Sequence, residues 1–594
     1  MKITFKEGGR RRTIMSDHAF LSCLIADGKG SYFSQGAEKN HTFYQGFLSQ
    51  YPQSDGGWTM FKFLERLEPD YNIDEIIKEG DSITFAGNRK KTRLSFKGER
   101  LLAVDASDPL TLYSDPRKIY DFSTGGRCFS IAEEDGLLIV TYTKGETDKP
   151  YSLYLAIKGY TTYKQIDEWI ERDYAFDAHR SGRGSWHVHK TLTFTPTNDT
   201  LIAQHHDKKK LKELFSSTSQ KTEDMKPLLP QKAFDDDEAG IAYASSVKAL
   251  EDLVIDNRGI YAGYYWFFQF WARDESISLG GLIREQRTDA VKNVVTRLLD
   301  SITEDGRIPN RFPHAALGSA DGIGWTAKRF GDAIHMFTED ERKEIASRLE
   351  TAAQRLITHH TEDGFAINAP KETWMDTTGS TTDVRSGARI EMQALRLNLY
   401  RLLHEITEKK EYAEREAELR SNVREAFFHH GILADGVVPQ EHEWTRDLTI
   451  RPNIFLAYCI YPGILRNEEW EEAFDHALEK LWLDWGGLCT IAKDHEWFKD
   501  EYTGENDESY HRGDSWFFVN HLAALAMHQL NSEKYKERIS KILDASKKEI
   551  LTQGIIGGNA EVSSAKELRS EGTWQQAWSS ATFIELCHEL FFKN

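Results

Sequence analysis

The feature that most constrains the fold is a run of helical segments that fills the chain from residue 238 to residue 594. In each segment apolar residues recur at helical spacing. Segments that are charged on most faces alternate with segments that are apolar nearly all round. The predicted segments are 240–254, 275–284, 287–303, 322–336, 339–359, 388–406, 411–429, 453–461, 468–483, 514–530, 533–549 and 574–591. Six apolar inner helices ringed by six amphipathic outer ones satisfy this pattern. A solenoid would also alternate helix types, but it would show a fixed sequence period, and this chain shows none. We therefore predict an (α/α)6 toroid, the catalytic domain, over residues 238–594.

Residues 1–204 have a different pattern, in which short runs of aromatic and β-branched residues recur between turn signals. Among these runs are Phe20–Ile25, His41–Leu48, Trp58–Leu67, Leu137–Tyr142 and Ser152–Ile157. The pattern predicts an N-terminal antiparallel β-sandwich, with one helix-like interruption at Tyr163–Asp173. Residues 205–237 are rich in Lys, Ser, Thr and Asp and are expected to form a charged linker that begins with a short helix. The predicted fold class is therefore a multidomain β + α protein.

Composition narrows the classes of partner. The chain carries 75 basic and 94 acidic side chains, a net charge of −19, which repels the phosphate backbone of nucleic acids. Its five cysteines are far apart, odd in number and outside any metal-ligand spacing, a pattern typical of reduced thiols. There is no apolar run of about 18 residues and no apolar signal core at the N-terminus. We therefore expect a soluble, cytoplasmic protein that binds neither nucleic acid nor membrane.

The stretch Glu372-Thr-Trp-Met-Asp-Thr-Thr-Gly379 and the helix after it are the most indicative of chemistry. Glu391 lies four residues before Leu395, which belongs to the apolar stripe of that helix. Its carboxylate should therefore point inward, where an unpaired charge is costly. Two acids and an indole grouped before a helix are typical of a polyol or sugar site. The alternative is a capped loop with an exposed tryptophan.

Further motifs of this kind precede other helical segments. They are Phe270-Trp-Ala-Arg-Asp-Glu275, Ser319-Ala-Asp-Gly-Ile-Gly-Trp325, Trp444–Phe455, Tyr510-His-Arg-Gly-Asp-Ser-Trp516, and Gly557–Glu561 followed by Thr573–Trp578. An Arg-Asp pair beside large aromatics can hold two neighbouring hydroxyls, although Asp274 has an alternative role as a helix N-cap. Because each motif lies close to the start of a helix, we expect one mouth of the toroid to gather all of them.

Seven short motifs occur in the order Trp-Ala-Arg-Asp274, Ile-Pro-Asn310, Ser-Ala-Asp321, Thr-Trp-Met-Asp376, Arg-Ile-Glu-Met-Gln-Ala-Leu395, Arg-Pro-Asn453, and Glu561 with Gln-Ala-Trp578. In order and spacing they resemble the amylo-α-1,6-glucosidase domain of glycogen debranching enzymes, a relative of glucoamylases and trehalases. The resemblance covers roughly residues 240–592. This chain departs from the family pattern in the run Phe267–Phe270 and in the segment of Glu561, which lacks the usual Ile-Ser-Glu sequence. It also has no room for the separate transferase domain of eukaryotic debranching enzymes.

The resemblance implies an inverting, exo-acting hydrolase that releases glucose from α-glucans, with α-1,6 branch stubs as the expected substrate. Inversion needs a protonated carboxyl on the leaving oxygen and an ionised carboxylate that activates water, roughly 6.5–9.5 Å apart. The resemblance assigns the acid to Asp376 and the base to Glu561. The side chains expected to bind the sugar are Arg273, Asp274, Asp321, Trp325, Trp374, Glu391 and Trp516.

We expect burial beside Trp374 to raise the pKa of Asp376, and Glu561 to face water and remain ionised. No metal or other cofactor is expected, because these loops contain no histidine cluster with ligand spacing. A glucoamylase-like or trehalase-like α-glucosidase would use the same machinery with a different second subsite. A phosphorylase or a non-catalytic carbohydrate-binding protein is the remaining alternative. Glu561 argues against both, because either could dispense with a base carboxylate.

Overall fold

The computed structural model describes residues 1–594 apart from 8–9, 54–56, 146–149, 217–225, 231–232, 235, 314–317, 441–442 and 593–594. The chain divides into two compact units. The first consists of Met1–Lys226, Asp235–Asp256 and Ile550–Gly557, and the second of Pro227–Phe234, Asn257–Glu549 and Gly558–Asn594. The expected linker at 205–237 falls in part outside the described residues.

A large sheet dominates the first unit. Its strands are β1 (Lys2–Glu7), β2 (Arg10–Met15), β3 (Leu21–Ala26), β4 (Ser31–Gly36), β5 (Gly46–Pro52), β6 (Trp58–Pro69), β7 (Glu75–Glu79), β8 (Ser82–Gly87), β9 (Lys90–Gly98), β10 (Leu101–Ala106), β11 (Leu110–Lys118), β12 (Arg127–Glu134), β13 (Leu137–Lys144), β14 (Tyr151–Asp173) and β15 (Ser185–His205). The hydrogen-bonded order is β2-β1-β7-β8-β9-β10-β15-β11-β6-β5-β4-β3, with β12, β13 and β14 joined through β15. Neighbours in this order are antiparallel except β1 and β7, which are parallel. Strand β3 also contacts β8 and β9 without pairing with them, and Leu24, Phe85 and Leu94 on these strands are fully buried.

The helix expected at Tyr163–Asp173 is wrong, because these residues form the second half of β14. Isoleucines at 166 and 170 are four residues apart, which imitates a helical stripe. In the structure this half of β14 pairs with β15, for example Tyr163 with Phe194 and Trp169 with His189. The pairing satisfies the backbone hydrogen bonds of both strands. Pairing between strands distant in sequence does not show in the spacing of apolar residues along one strand.

Thirteen helices lie in the described ranges. They are α1 (Ala175–Ser181), α2 (Lys208–Leu214), α3 (Asp237–Leu253), α4 (Ala272–Arg284), α5 (Thr288–Asp300), α6 (Gly322–Asp332), α7 (Glu339–His359), α8 (Ile390–Thr407), α9 (Lys410–Phe427), α10 (Asn453–Ile460), α11 (Asn467–Leu481), α12 (Phe517–Thr552) and α13 (Ala577–Phe591). Helix α12 contains a break at Asn531, whose φ of −161° and ψ of 87° are not helical. Each of the twelve predicted segments has a counterpart here, since this break separates 514–530 from 533–549. A large N-terminal sheet region is thus followed by a helical domain. None of the described helices combines the length and the apolarity needed to cross a membrane.

Six helical pieces of the second unit contact one another in sequence. Helix α4 contacts α6 and α13, and α8 contacts α6 and α10. The first part of α12 reaches α10, where the Cys459 thiol lies 3.2 Å from the carbonyl oxygen of Leu522. It reaches α13 through the stacked rings of Phe518 and Trp578, whose centroids are 4.3 Å apart. Nearly every position of α10 and of α13 is buried, whereas α7 and α9 are buried along one stripe only.

Short strands fix the segments between these helices. They are β16 (Val254–Ile255), β17 (Gly259–Tyr264), β18 (Phe267–Trp271), β19 (Arg311–Phe312), β20 (Thr361–Glu362), β21 (Phe365–Ala366), β22 (Ala388–Arg389), β23 (Phe428–His429), β24 (Ile432–Leu433), β25 (Gly436–Gln440), β26 (Glu443–Asp447), β27 (Trp482–Leu483), β28 (Gly487–Leu488), β29 (Ser515–Trp516), β30 (Gly554–Ile555), β31 (Val562–Ser563) and β32 (Gln575–Gln576). Strand β17 pairs with β32, and β29 pairs with β31. These pairs hold together the segments that lead into α4, α12 and α13.

Candidate active site

A cavity of about 240 Å³ lies where several helices of the second unit begin. Its lining residues are Ala262, Phe267, Trp271, Arg273, Asp274, Trp374, Asp376, Thr377, Asp507, Tyr510, Trp516, Glu561, Gln576 and Trp578. Each comes from the segment before α4, α8, α12 or α13, or from the first turn of α4 or α13. The motifs that precede these helices therefore meet at one cavity.

Asp376 lies between a cation and a buried imidazole. Its Oδ2 is 3.5 Å from Nη1 of Arg273, and its Oδ1 is 3.4 Å from Nε2 of His511. Burial lowers the pKa of His511 to about 4, so its imidazole is neutral and donates to the carboxylate through Nε2–H. Partial burial would raise the pKa of Asp376, whose side chain is 31% exposed, but the hydrogen bond from His511 and the charge of Arg273 hold that pKa below its ordinary value.

Glu561 lines the same cavity without a cation in contact among the described residues. The hydroxyl of Tyr510 donates to its Oε1, and the backbone N–H of Thr573 donates to its Oε2 over 3.0 Å. Gly572, with φ +62°, permits this approach, because a Cβ there would lie 2.3 Å from Oε2. Burial raises the pKa of Glu561 to about 7, although these two hydrogen bonds lower it in part.

The pKa of Asp376 is lowered where the sequence predicts a raised one, and Glu561 is buried with a raised pKa where the sequence predicts a solvated, ionised carboxylate. The charge of Arg273 and the hydrogen bond from His511 outweigh the burial of Asp376. Glu561 is 2% exposed rather than solvated, and the charge of Asp376 adds to its desolvation. A single proton shared by the two carboxyls therefore favours Glu561 over Asp376.

Arg273 is held rigidly at the base of the cavity. Its Nε donates to Oδ2 of Asp321 over 2.6 Å, and its Nη2 donates to the backbone oxygen of Glu372 over 3.3 Å. Arg273 and Asp321 are both buried, so the ion pair is screened little by solvent. Asp321 does not line the cavity, and it fixes the guanidinium that faces Asp376.

Asp274 extends into the cavity beside Arg273. Its Oδ1 accepts a hydrogen bond of 3.1 Å from Nε2 of Gln576. Burial, together with the charges of Glu561 and Asp376, raises the pKa of Asp274 well above its ordinary value, although Arg273 opposes the rise. No side-chain capping hydrogen bond is found at the start of α4, so the N-cap role does not describe Asp274.

Tryptophans form one wall of the cavity. The indole N–H of Trp374 donates to Oδ1 of Asn453 over 2.7 Å, and that of Trp516 donates to the backbone oxygen of Tyr510 over 2.8 Å. The rings of Trp374 and Trp516 meet edge to face with centroids 5.4 Å apart, and Trp516 meets Trp578 at 5.6 Å. Rigid indole faces of this kind suit the apolar face of a sugar ring.

Besides Asp321, two residues expected to bind the sugar lie elsewhere. Glu391 is buried and forms a two-pronged ion pair with Arg385, at 2.9 and 3.2 Å. Arg385 also binds Asp435, which accepts from the same Asn453 that holds Trp374. Glu391 therefore supports the wall from behind. Trp325 lies one turn into α6 and lines a different cavity.

Several cavity residues were not assigned from the sequence. Three of them belong to motifs identified in the sequence, namely Tyr510, Gln576 and Trp578. Their roles follow from the contacts of their side chains, which the sequence does not give. Asp507 lies in a charged run without apolar spacing, so no sequence signal distinguishes it. Burial and the charge of Asp376 raise the pKa of Asp507 to about 6. Within the described ranges no group of three or more His, Cys, Asp or Glu side chains is arranged to hold a metal.

Comparison with known proteins gives a family and a fold. A family model described as amylo-alpha-1,6-glucosidase matches residues 241–585. Among solved structures, a bacterial glucoamylase complexed with acarbose aligns with a TM-score of 0.55 and 11% identity, covering 95% of this chain and 87% of its own. At that identity the likeness concerns the fold alone.

Two further structures align over part of the chain. A GH63 mannosylglycerate hydrolase from Thermus thermophilus, in complex with Tris, has a TM-score of 0.44 and 12% identity over 58% of this chain and 99% of its own. A variant glycosidase in complex with glucose has a TM-score of 0.44 and 14% identity over 60% of this chain and 99% of its own. No curated protein matches the sequence.

Proposed function

This chain belongs to the amylo-alpha-1,6-glucosidase family and is a glycoside hydrolase, and from that premise we propose that it is an inverting, exo-acting enzyme that releases glucose from α-glucans. We propose α-1,6-linked branch stubs on a glycogen-like polymer as its substrate. The observation that carries the proposal is the meeting of Asp376 and Glu561, from widely separated segments, at one cavity with an aromatic wall.

The fold proposed for the helical domain is an (α/α)6 toroid preceded by a β-sandwich. The contacts from α4 through α6, α8, α10 and the first part of α12 to α13 return to α4, as an inner ring of six requires. The likeness to the glucoamylase fold supports the same arrangement. The sandwich is supported by β3, which contacts β8 and β9 without pairing with them.

Hydrolysis follows from the two carboxyls. Asp376 gives its proton to the glycosidic oxygen as the bond from that oxygen to the anomeric carbon breaks. Glu561 accepts a proton from a water whose oxygen attacks the opposite face of the anomeric carbon. The products are β-glucose and the shortened glucan, and the pair again carries one proton. The pKa directions put that proton on Glu561, so the form with the proton on Asp376 is the minor one and substrate binding has to favour it.

Other cavity residues bind and orient the sugar. Arg273 and Asp274 present a donor fork and a carboxyl to neighbouring hydroxyls, and Gln576 holds Asp274 in place. Trp374, Trp516 and Trp578 supply the apolar wall. A volume of about 240 Å³ lies below the range of about 300–1,000 Å³ typical of drug-sized ligands. It suits one terminal glucose unit, as exo action requires. In this proposal Asp321 and Glu391 do not contact the sugar. Asp321 positions Arg273, and Glu391 supports the tryptophan wall.

The proposal is tested by glucose release from branched limit dextrin, maltose and trehalose, each with and without inorganic phosphate. We expect limit dextrin to give the highest kcat/KM, and phosphate to leave the rate and the product unchanged. Preference for maltose or trehalose would indicate a glucoamylase-like or trehalase-like enzyme, and glucose 1-phosphate as product would indicate a phosphorylase. Binding without any product would reduce the chain to a carbohydrate-binding protein. The proposed setting is cytoplasmic, supported by five cysteines that are all free thiols.

A further inference from the structure

A second cavity in the helical unit is larger than the candidate active site. It encloses about 470 Å³ and lies among the later turns of α4, α6, α12 and α13, away from the helix starts that carry Asp376 and Glu561. None of the residues assigned to catalysis lines it. Trp325, which the sequence marks as a sugar-binding residue, lies in its wall.

The charged side chains of this second cavity are paired, Arg284 with Glu589 outside the wall at 4.0 Å and the others within it. Lys328 donates to both carboxylate oxygens of Asp332 over 2.6 and 2.8 Å. Arg329 donates to both oxygens of Glu585 over 2.7 and 2.6 Å. Because each of these charges already has its counter-charge, a ligand that carries a net charge would face no uncompensated partner. The wall therefore favours a neutral ligand.

One buried hydrogen-bond donor in the same wall lacks a protein acceptor. Among the described residues no acceptor is found for the Nε of Arg329. A buried donor left without a partner costs about 1–3 kcal/mol. Asp332 and Glu585 keep lone pairs that can accept from hydroxyl groups. A ligand with several hydroxyls satisfies this donor and these acceptors, because each hydroxyl donates and accepts.

We propose that this cavity is a second, non-catalytic binding site for a neutral polyhydroxylated molecule of one or two sugar rings. Leu522 and Leu525 give the cavity apolar contact from α12, and Trp325, which lies under the guanidinium of Arg329, lines the wall without an exposed ring face. The volume lies within the range of about 300–1,000 Å³ typical of small-molecule sites. The proposal stands on this wall alone and does not depend on the roles of Asp376 and Glu561.

The test compares Leu525→Trp, which fills the cavity from a buried position, with Leu525→Met, which conserves its volume. Isothermal titration with glucose should find one bound equivalent fewer in L525W than in the wild type and in L525M. That difference of one is expected whether or not the active site also holds glucose. Thermal unfolding checks that each variant is folded. Gln529→Trp, at an exposed position of the same wall, replaces L525W if the latter does not fold.

Two titration results would overturn the proposal. One is equal binding stoichiometry in the wild type, L525M and the folded blocking variant. The other is displacement of the extra glucose by inorganic phosphate at matched concentration, since that would mark the cavity as an anion site. A crystal soaked with maltose supports the proposal if it shows a sugar ring in this cavity, and contradicts it if the cavity stays free of sugar while the active site is filled.

Discussion

Asp376 is the side chain on which the proposed chemistry depends most directly. In Asp376→Asn the side chain keeps its size but cannot give a proton to the leaving oxygen. We expect kcat on limit dextrin to fall by about 10²–10⁴ with little change in KM or in melting temperature. Glu372→Gln is the matched control, because Glu372 pairs with Arg307 outside the cavity and should retain most activity. Near-normal turnover in the Asp376 variant would move the acid to another carboxyl.

The two carboxyls also predict a pH dependence. Catalysis needs the pair to hold one proton, which is the dominant state between a pKa of Asp376 below its ordinary value and a pKa of Glu561 of about 7. As pH rises through about 7 the pair loses that proton, so kcat/KM should fall on the alkaline side.

The variant Tyr510→Phe tests which group sets this limb of the pH profile. It removes a hydrogen bond that favours the ionised form of Glu561, so the pKa of Glu561 should rise and the limb should move to higher pH. Tyr535→Phe, distant on α12, should leave the limb where it is. An unmoved limb in the Tyr510 variant would assign it to another group.

The sequence predicts which residues meet at the site more readily than it predicts the pKa values of their side chains. The motifs bring Asp376, Glu561, Arg273 and Asp274 to one cavity, as a helix-start location predicts. The pKa order of the two carboxyls depends on the distance from Asp376 to Arg273 and His511, and on the exclusion of water from Glu561. Neither quantity has a local sequence signature.

At the scale of elements, helices were predictable where apolar spacing and burial agree. The apolar spacing in the sequence predicts the two halves of α12 as separate segments, and Asn531 is the physical reason for the break between them. Its Oδ1 accepts from the backbone N–H of Lys534 over 3.1 Å, which caps the second half as an N-cap asparagine does. The strand at Tyr163–Asp173 was missed because its stability comes from pairing with β15, which no local period encodes.

The cap at Asn531 gives a stability prediction. Asn531→Ala removes the acceptor for Lys534 and the hydrogen bond to Glu471, so we expect a loss of about 0.5–2 kcal/mol in the free energy of unfolding. Asn531→Ser keeps a capping oxygen and should lose less. Urea unfolding followed by circular dichroism measures both variants. Equal stability of the alanine and serine variants would show that the cap contributes nothing measurable.

At the scale of the whole molecule, the site exists only because separate segments of the chain meet. Asp376 precedes α8 and Glu561 precedes α13, yet both line one cavity. The sequence indicates such a meeting through the position of each motif before a helix. It does not distinguish a side chain at the cavity from one a turn deeper, which is why Trp325 on α6 belongs to the second cavity and Glu391 to a buried ion pair. A motif at a helix start indicates at which end of the helical domain its residues lie. Packing then decides which cavity, if any, each of its side chains lines.

The last prediction concerns the stereochemistry that this meeting imposes. If Glu561 holds water on the face opposite Asp376, an α-linked substrate must give β-glucose first. Proton NMR of the earliest product, recorded before mutarotation, measures the anomer directly. Glu561→Gln should bind substrate but fail to activate water, and in Glu561→Ala azide should restore turnover by attacking from the vacated face with β-glucosyl azide as product. In Asp376→Asn the leaving oxygen still lacks a proton, so azide should not restore glucan cleavage there. If α-glucose appears first in the wild type, the water-activating role of Glu561 is wrong, and a covalent intermediate on one of the cavity carboxylates replaces it.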